Sequence, residues 1–193
     1  MKELLLYLNS IHPLSEGLED HLSGILKLKK LPRKTYLLKA GHLCRNICFI
    51  KSGLLRCFYL RDNNEVSSWF MKEGDVIVSV ESFFQQKESY ESIQAIEDCE
   101  LYCIEHSQLE NIYRVFPEFN FISRVLLQKY YTLSEQRLYS LRMQRAQERY
   151  DYLIEHHAEL ILRVPAKYLA SYLGITEVHL SNIKSKTKFL KKV

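Results

Sequence analysis

The sequence is poor in glycine and proline and has no long apolar run. Six Gly and four Pro among 193 residues exclude a collagen-like or low-complexity chain, and 47% hydrophobic content excludes an intrinsically disordered one. Near the start, only four or five apolar residues occur before polar ones follow, which is too short for a secretory signal or a membrane span. We therefore expect a soluble, cytoplasmic, globular protein of one or two domains, without a membrane partner.

The residue clusters that common catalytic sites require are also missing. A metal-dependent jelly-roll enzyme needs several histidines and a carboxylate around one metal, but only His42 and His106 fall in the β-rich part of the chain. The sequence has neither a phosphate-binding nor a dinucleotide-binding glycine loop, and no nucleophile motif. The prediction is a protein that is not an enzyme and has no catalytic residues, metal site or bound cofactor.

The cysteines are five, an odd number, and all lie in apolar, β-prone surroundings: Cys44, Cys48, Cys57, Cys99 and Cys103. We expect reduced thiols in the core, as in a reducing compartment. The pairs Cys44/Cys48 and Cys99/Cys103 have a CxxxC spacing, which on strands places both thiols of a pair on one face. Core packing is the expected role of these four cysteines, and a redox or metal role is the alternative.

Positive charge is concentrated at the end of the sequence. The net charge is +4, but residues 163–193 carry +6, which leaves −2 for the rest of the chain. This asymmetry indicates a polyanionic partner for the last segment, with a solvated lysine tail as the alternative.

Three patterns divide the chain. Residues 35–104 consist of short aromatic and β-branched runs broken at turn residues, which predicts an antiparallel barrel or jelly roll. Residues 118–144 have no Gly or Pro, and their apolar residues recur at helical intervals after Pro117. A helix of this length predicts a dimer seam, against the alternative of a monomer's core helix, and its apolar residues are Ile122, Leu126, Tyr130, Leu133, Leu138 and Leu141.

The stretch VPAKYLASYLGITEVHLSNIKSK, which begins at Val164, predicts two short helices joined by a tight turn. Pro165 suits a first turn, Gly174 can end the first helix with a positive φ, and Thr176 can cap the second. Leu180 and Ile183 then pack the second helix against the first. This arrangement predicts a DNA-binding helix-turn-helix, whereas an αα-hairpin used only for packing is the alternative.

The second helix presents small and amide side chains on one face, at Val178, Ser181, Asn182 and Ser185. Asn can pair with adenine and Ser with several base edges in a major groove, while lysines and a helix N-terminus can contact phosphates. The predicted DNA-binding residues are Lys167, Thr176, Glu177, Val178, His179, Ser181, Asn182, Lys184 and Lys186. For His179 a surface position without a role is an equal alternative.

The stretch ASYLGITEVHLSNIKSK resembles the helix-turn-helix of the Crp/Fnr family of bacterial transcription factors, especially its divergent Bacteroidetes members. The resemblance extends over nearly the whole chain, since AGHLCRNICFIKSGLLRCFY with KEGD is similar to the family's β-roll, and FPEFNFISRVLLQKYYTLSEQRL to its dimerisation helix. It implies an α+β fold: a jelly-roll-like, cyclic-nucleotide-binding-type sensor domain (1–117), a dimerisation helix (118–144) and a helix-turn-helix domain (145–193). Only seven residues follow Lys186, too few for the family's β-hairpin wing, so a truncated wing is expected.

The family's effector sites are not matched. The Gly-Glu pair that holds the ribose of cyclic AMP aligns with Val78 and Ser79, and the phosphate-binding Arg aligns with Ser89. No arginine occurs between Arg61 and Arg114, which argues against cyclic-nucleotide binding. No cysteine precedes Cys44, which argues against the family's iron-sulfur cluster.

The resemblance therefore implies a homodimeric, sequence-specific transcriptional regulator that binds a palindromic operator in double-stranded DNA. RNA polymerase and an unidentified small-molecule effector are the further partners it implies. The alternative is a β-roll that binds a ligand or a protein without reading DNA.

Overall fold

The computed structural model describes the backbone of residues 1–190 and the side chains of residues 1–186. In the described residues the chain begins with the helices α1 (Lys2–Ile11) and α2 (Glu16–Ile25), and strands follow. The eight strands are β1 (Lys27–Leu31), β2 (Tyr36–Leu38), β3 (Asn46–Ser52), β4 (Leu55–Arg61), β5 (Asn64–Met71), β6 (Val76–Ile77), β7 (Glu91–Ala95) and β8 (Cys99–Glu105), with α3 (Val80–Gln85) between β6 and β7. After them come α4 (His106–Val115), α5 (Pro117–Met143), α6 (Ala146–His156), α7 (Ala158–Arg163), α8 (Ala166–Tyr172) and α9 (Glu177–Leu190).

The strands form two four-stranded sheets, with orders β1-β8-β3-β6 and β2-β7-β4-β5, in a jelly-roll-like β-roll. The pairs β1/β8, β3/β8, β3/β6 and β2/β7 are antiparallel. Side chains such as Ile50, Leu55, Ile93 and Leu101 are fully buried, so the apolar residues of both sheets form the core. The predicted α+β fold with an antiparallel roll is confirmed.

Contacts between Cα atoms divide the chain into two compact units. Unit 1 contains residues 1–57 and 70–131, and unit 2 contains residues 58–69 together with Thr132 onward. The ends of β4 and β5 that flank their connecting turn thus belong to unit 2, while the rest of the roll belongs to unit 1.

The turns lie where the sequence predicts them. Gly41, Gly53 and Gly74 have positive φ, as do Asp62 and Asn63 between β4 and β5. Gly53 is required most strictly, because a Cβ there would lie 2.5 Å from the backbone oxygen of Asp98.

Two elements differ from the sequence prediction. The strand β1 was not predicted, because KLKKL is rich in lysine and only Leu31 is buried on this edge strand. The run VIVSV is one of the short runs of residues 35–104 that predict strands, but only Val76–Ile77 pairs, and a helix begins at Val80. Short apolar runs do not distinguish a strand from a helix by periodicity alone.

The prediction of reduced thiols is wrong for two of the five cysteines. Cys48 and Cys103 form a disulfide between β3 and β8, where they are direct partners in the strand register. Their Cα atoms lie 4.1 Å apart, and such close approach is typical of a non-hydrogen-bonded antiparallel pair. Spacing along the sequence suggested CxxxC pairs, whereas the sheet brings together thiols from different strands. The other three cysteines are free and buried.

Burial keeps the free thiols protonated. It raises the pKa of Cys44, places that of Cys57 well above its ordinary value, and raises that of Cys99 to about 11. Because the thiolate is the reactive form, these three cysteines are inert core residues at neutral pH.

Candidate nucleic-acid interface

The turn between α8 and α9 has the hydrogen bonds of a Schellman motif. The N–H of Ile175 donates to the carbonyl of Ala170 at 3.0 Å, and the N–H of Gly174 donates to that of Ser171 at 3.1 Å. Gly174 adopts a φ of +68°, as expected of a residue that ends a helix in the left-handed region. The chain therefore reverses sharply after α8, as the sequence predicts.

The second helix begins with a side-chain cap. The Oγ1 atom of Thr176 accepts a hydrogen bond from the N–H of His179 at 3.2 Å, as predicted for an N-cap threonine. The hydroxyl hydrogen of Thr176 remains free to donate to another group. The start of α9 thus presents an exposed donor at the positive end of the helix dipole.

The two helices pack through apolar residues that are almost completely buried. Leu169, Ala170 and Leu173 of the first helix region pack in the same core as Leu180 and Ile183 of α9. Both residues predicted to bury α9 are therefore confirmed in that position.

Two arginines outside the helix pair hold its turn. Arg137 on α5 donates through Nη2 to the carbonyl of Tyr172, and its guanidinium stacks 3.6 Å from the centre of the Tyr172 ring. Arg149 on α6 donates to the carbonyl of Leu173 from Nε at 3.0 Å and from Nη2 at 2.7 Å. These carbonyls end α8, where helices leave acceptors unpaired and favour positive charge.

We call these two residues the arginine clamp. Sequence reasoning missed the clamp because both arginines lie far from the helix pair in sequence, and nothing in their spacing indicates a common target.

A serine pair adds a further contact within unit 2. The N–H of Ser67 on β5 donates to Oγ of Ser171 on α8 at 3.1 Å, and the two hydroxyl oxygens lie 3.0 Å apart. The strand β5 therefore fixes α8 on another side.

The predicted base-reading residues share an exposed face of α9. Val178 is 73% exposed, and Ser181, Asn182 and Ser185 are also exposed. Glu177 and His179 are exposed beside this face. The four predicted positions at helical spacing are thus brought together on one surface.

The predicted phosphate-binding lysines lie around this face. Lys167 and Lys186 are exposed, and Lys184 is half-buried. Within the described part of the chain, none of the three has a carboxylate within salt-bridge distance. The helix α9 continues to Leu190; the last three residues of the predicted truncated wing, including Lys191 and Lys192, lie outside the described residues.

In the β-roll, the two positions aligned with the cyclic-AMP contacts bind each other. The hydroxyl oxygens of Ser79 and Ser89 lie 2.9 Å apart, and Ser89 donates to the carbonyl of Glu91 at 2.9 Å. Both serines are buried. A cavity of about 360 Å³ lies elsewhere in the roll, with the exposed cations Lys39 and Arg45 among its lining residues.

The helix α5 exposes an apolar stripe that shares only Leu138 and Leu141 with the predicted set. Ile122 is fully buried and Tyr130 accepts a hydrogen bond from the N–H of Val76 at 2.7 Å, so the first predicted residues face the roll. Four of its exposed apolar residues recur at heptad a and d spacing: Leu127, Tyr131, Leu138 and Leu141.

Within the described residues, no group of three His, Cys, Asp or Glu side chains is arranged to hold a metal ion. No helix in that part of the chain is long and apolar enough to cross a membrane.

Comparison with known proteins identifies the first half of the fold. Residues 28–115 match the family model of the cyclic nucleotide-binding domain. A search of curated proteins found no match.

Solved structures match nearly the whole chain. A variant of CooA from Carboxydothermus hydrogenoformans has a TM-score of 0.73 at 19% identity, covering 96% of this chain and 84% of that one. FixK2 from Bradyrhizobium japonicum has a TM-score of 0.73 at 17% identity and covers 86% of each chain. A Crp/Fnr-family transcriptional regulator from Eubacterium rectale has a TM-score of 0.73 at 16% identity, covering 95% of this chain and 88% of that one.

The roll and the helix pair together define a protein with a cyclic nucleotide-binding-type domain followed by a helix-turn-helix. The fold of the chain is that of the Crp/Fnr transcriptional regulators, which confirms the fold implied by the resemblance in the sequence.

Proposed function

We propose that this protein is a homodimeric, sequence-specific DNA-binding transcriptional regulator of the Crp/Fnr type. Its parts are a sensor-like roll (1–117), a dimerisation helix (118–144) and a DNA-binding domain (145–193), and it acts in the cytoplasm without enzymatic activity. The observation that carries the proposal is the exposed, uncharged face of α9 formed by Val178, Ser181, Asn182 and Ser185.

The chemistry of this face suits a major groove. Asn182 has a carboxamide that can donate to and accept from one adenine, and the hydroxyls of Ser181 and Ser185 can bond to several base edges. The methyl groups of Val178 can contact a thymine methyl. Since α9 has no large side chain on this face, it can approach the base edges closely.

The flanking groups suit phosphates. Lys167, Lys184 and Lys186 have no carboxylate partner in the described residues, and the hydroxyl of Thr176 lies at the positive end of α9. The side chain of His179 is exposed at the same end, while Glu177 would repel a nearby phosphate and favour a cytosine amino group. The net charge of +6 over residues 163–193 supports the same partner.

The exposed stripe of α5 supports a homodimer. Its residues repeat at a and d positions, so the same stripe of a second copy can pack against it in a coiled coil. A two-fold axis along this seam brings two copies of α9 to one side of the DNA, which predicts a palindromic operator.

The roll supports a regulator that has lost the cyclic-AMP clamp. An anionic phosphate needs a cation or several free donors, but Ser79 and Ser89 bond to each other and to a backbone carbonyl. We assign no effector to the roll, and RNA polymerase is a further partner of the proposed regulator.

Selection of binding sites from random double-stranded DNA tests this function. We expect enrichment of a palindrome whose half-sites lie about one helical turn, roughly 34 Å, apart, with binding that weakens steeply as salt increases. A roll that binds only a ligand or a protein predicts no enriched sequence and no steep salt dependence.

A further inference from the structure

Unit 2 contains a cavity that the proposed DNA-binding face does not use. Its volume is about 550 Å³, within the range of small-molecule sites. The wall is built by α5, α6, the end of α8 and one residue of β5, Trp69. A cavity of this size beside the helix-turn-helix has room for an effector.

The arginine clamp contributes two positive charges to this cavity. Arg137 and Arg149 both line it, and neither has a carboxylate partner among the described residues. Their acceptors are neutral carbonyls, of Tyr172 for Arg137 and of Leu173 and Gln144 for Arg149. Glu135 also lines the cavity, but it is exposed and forms no ion pair with either arginine.

The charge on Arg137 is poorly compensated. Its Nε atom is buried and has no hydrogen-bond partner. Burial lowers the pKa of the guanidinium; Tyr172 opposes this by raising it, and the positive charge of Arg149 lowers it further. Partly buried like charges without a counter-ion destabilise the site, and a bound anion would relieve this cost.

The other walls favour a planar ring. Trp69, Tyr139 and Tyr152 line the cavity, and the guanidinium of Arg137 already stacks on the ring of Tyr172. The hydroxyl and amide groups of Ser140 and Gln136 add polar positions that can orient a ligand.

We propose that this cavity binds a small aromatic anion, a planar ring that bears a carboxylate or phosphate, with its negative group paired to Arg137. The 360 Å³ cavity of the roll differs from this one, since the cations among its lining residues, Lys39 and Arg45, are exposed and remain hydrated. The ligand would compete for the guanidinium that holds the carbonyl of Tyr172 and so change the orientation of the helix pair. This regulatory consequence rests on the proposed DNA-binding function, whereas binding itself does not.

Trp69 makes the test direct, because it is the only tryptophan of the chain and lines the cavity. The tryptophan emission of the full chain is followed during titration with 5′-AMP and with benzoate. Both are aromatic anions; 5′-AMP carries a phosphate and benzoate carries a carboxylate. Adenosine and benzamide are the matched neutral probes, and inorganic phosphate is the anion without a ring. We expect a saturable change with at least one aromatic anion and none with the neutral probes or phosphate.

The variant Arg137→Gln should weaken that binding at least about tenfold, the loss expected for one charge-assisted hydrogen bond. Arg142→Gln is the matched control, since Arg142 is an exposed arginine of the same helix and does not line the cavity. Arg137→Lys keeps the charge without the planar fork and should bind with intermediate affinity. Circular dichroism and thermal melting show whether each variant is folded. If Arg137→Gln is unfolded, Arg137→Lys is compared with the wild type instead.

The proposal is overturned if neither aromatic anion gives a saturable change, if the neutral probes bind equally well, or if the Arg137 variants bind like the wild type. A second experiment measures the affinity of the protein for its operator with and without the bound anion. Loss of DNA binding under all conditions would remove the proposed function and leave the cavity titration intact, so the two failures are distinguishable.

Discussion

The hydroxyl oxygens of Ser79 and Ser89 lie 2.9 Å apart, and both side chains are buried in the roll. These are the positions where the family's cyclic-AMP binders are expected to carry an acid and a phosphate-binding arginine. Because the two serines satisfy each other, a cyclic phosphate placed there would meet no cation. We predict no heat of binding when the protein is titrated with micromolar cyclic AMP or cyclic GMP in a calorimeter. Tight, saturable binding of either nucleotide would contradict the loss of the clamp.

The stripe on α5 predicts which substitutions separate the dimer. Replacing Leu127 and Leu138 together with Glu should give a monomer, because four carboxylates would face one another across the seam. Sedimentation or light scattering measures the mass, and operator affinity should fall together with it.

The control for the seam is Leu162→Glu, since Leu162 on α7 is 88% exposed and lies outside the stripe. It should remain dimeric. Replacing Leu126 and Leu133, the leucines favoured by sequence periodicity, is expected to reduce stability more than the seam substitutions do, because both are only half-exposed. A wild-type protein that is monomeric at the concentrations used would contradict the proposed seam.

Gly53 and Gly74 offer a matched test of the turns in the roll. Both have positive φ, 96° and 86°, but a Cβ at Gly53 would meet the backbone of Asp98, whereas one at Gly74 would meet nothing within 4 Å. Gly74→Ala should cost about 1 kcal/mol of unfolding free energy from backbone strain. Gly53→Ala should cost at least about 1–3 kcal/mol more, because backbone atoms must move. Urea unfolding measures both, and equal losses would mean that the close approach at Gly53 is absent.

The bond between Cys48 and Cys103 predicts a countable number of thiols. When the protein is denatured without reductant, an alkylating reagent should modify three cysteines. After reduction it should modify all five. The bond joins residues 55 apart in sequence, so reduction should lower the unfolding free energy by about 2–4 kcal/mol. The double variant Cys48→Ala, Cys103→Ala should melt at the same temperature with and without reductant. Modification of all five cysteines without reductant would show that Cys48 and Cys103 are reduced thiols, as the sequence alone suggests.

The residues that could be predicted from the sequence act through local rules. Pro117, Gly174 and Thr176 mark helix ends by backbone geometry and capping, and each lies where its chemistry requires. The exposed face of α9 followed from helical spacing alone, since Leu180 and Ile183 fixed which side is buried.

The features that sequence reasoning missed depend on contacts between distant residues. The clamp joins Arg137 and Arg149 to carbonyls 35 and 24 residues away, and the disulfide depends on the register of β3 with β8. Periodicity also merged two sides of α5 into one set, since the predicted residues include the buried Ile122 together with the exposed Leu138 and Leu141. A long helix with apolar residues on two sides gives one pattern for both. Local patterns carry no information about which partner each side meets.

The central claim, that α9 reads bases, is tested most directly by comparing Asn182→Ala with Lys186→Ala on the selected operator and on unrelated DNA. Fluorescence anisotropy over a range of salt concentrations gives both affinity and salt slope. Asn182→Ala should cost about 1–3 kcal/mol on the operator and almost nothing on unrelated DNA, because it removes a base contact. Lys186→Ala should weaken binding to every sequence and reduce the salt slope by about one for each lost phosphate contact, or about two in the dimer. Equal losses from both variants on all sequences would contradict the claim, because α9 would then contact only the DNA backbone.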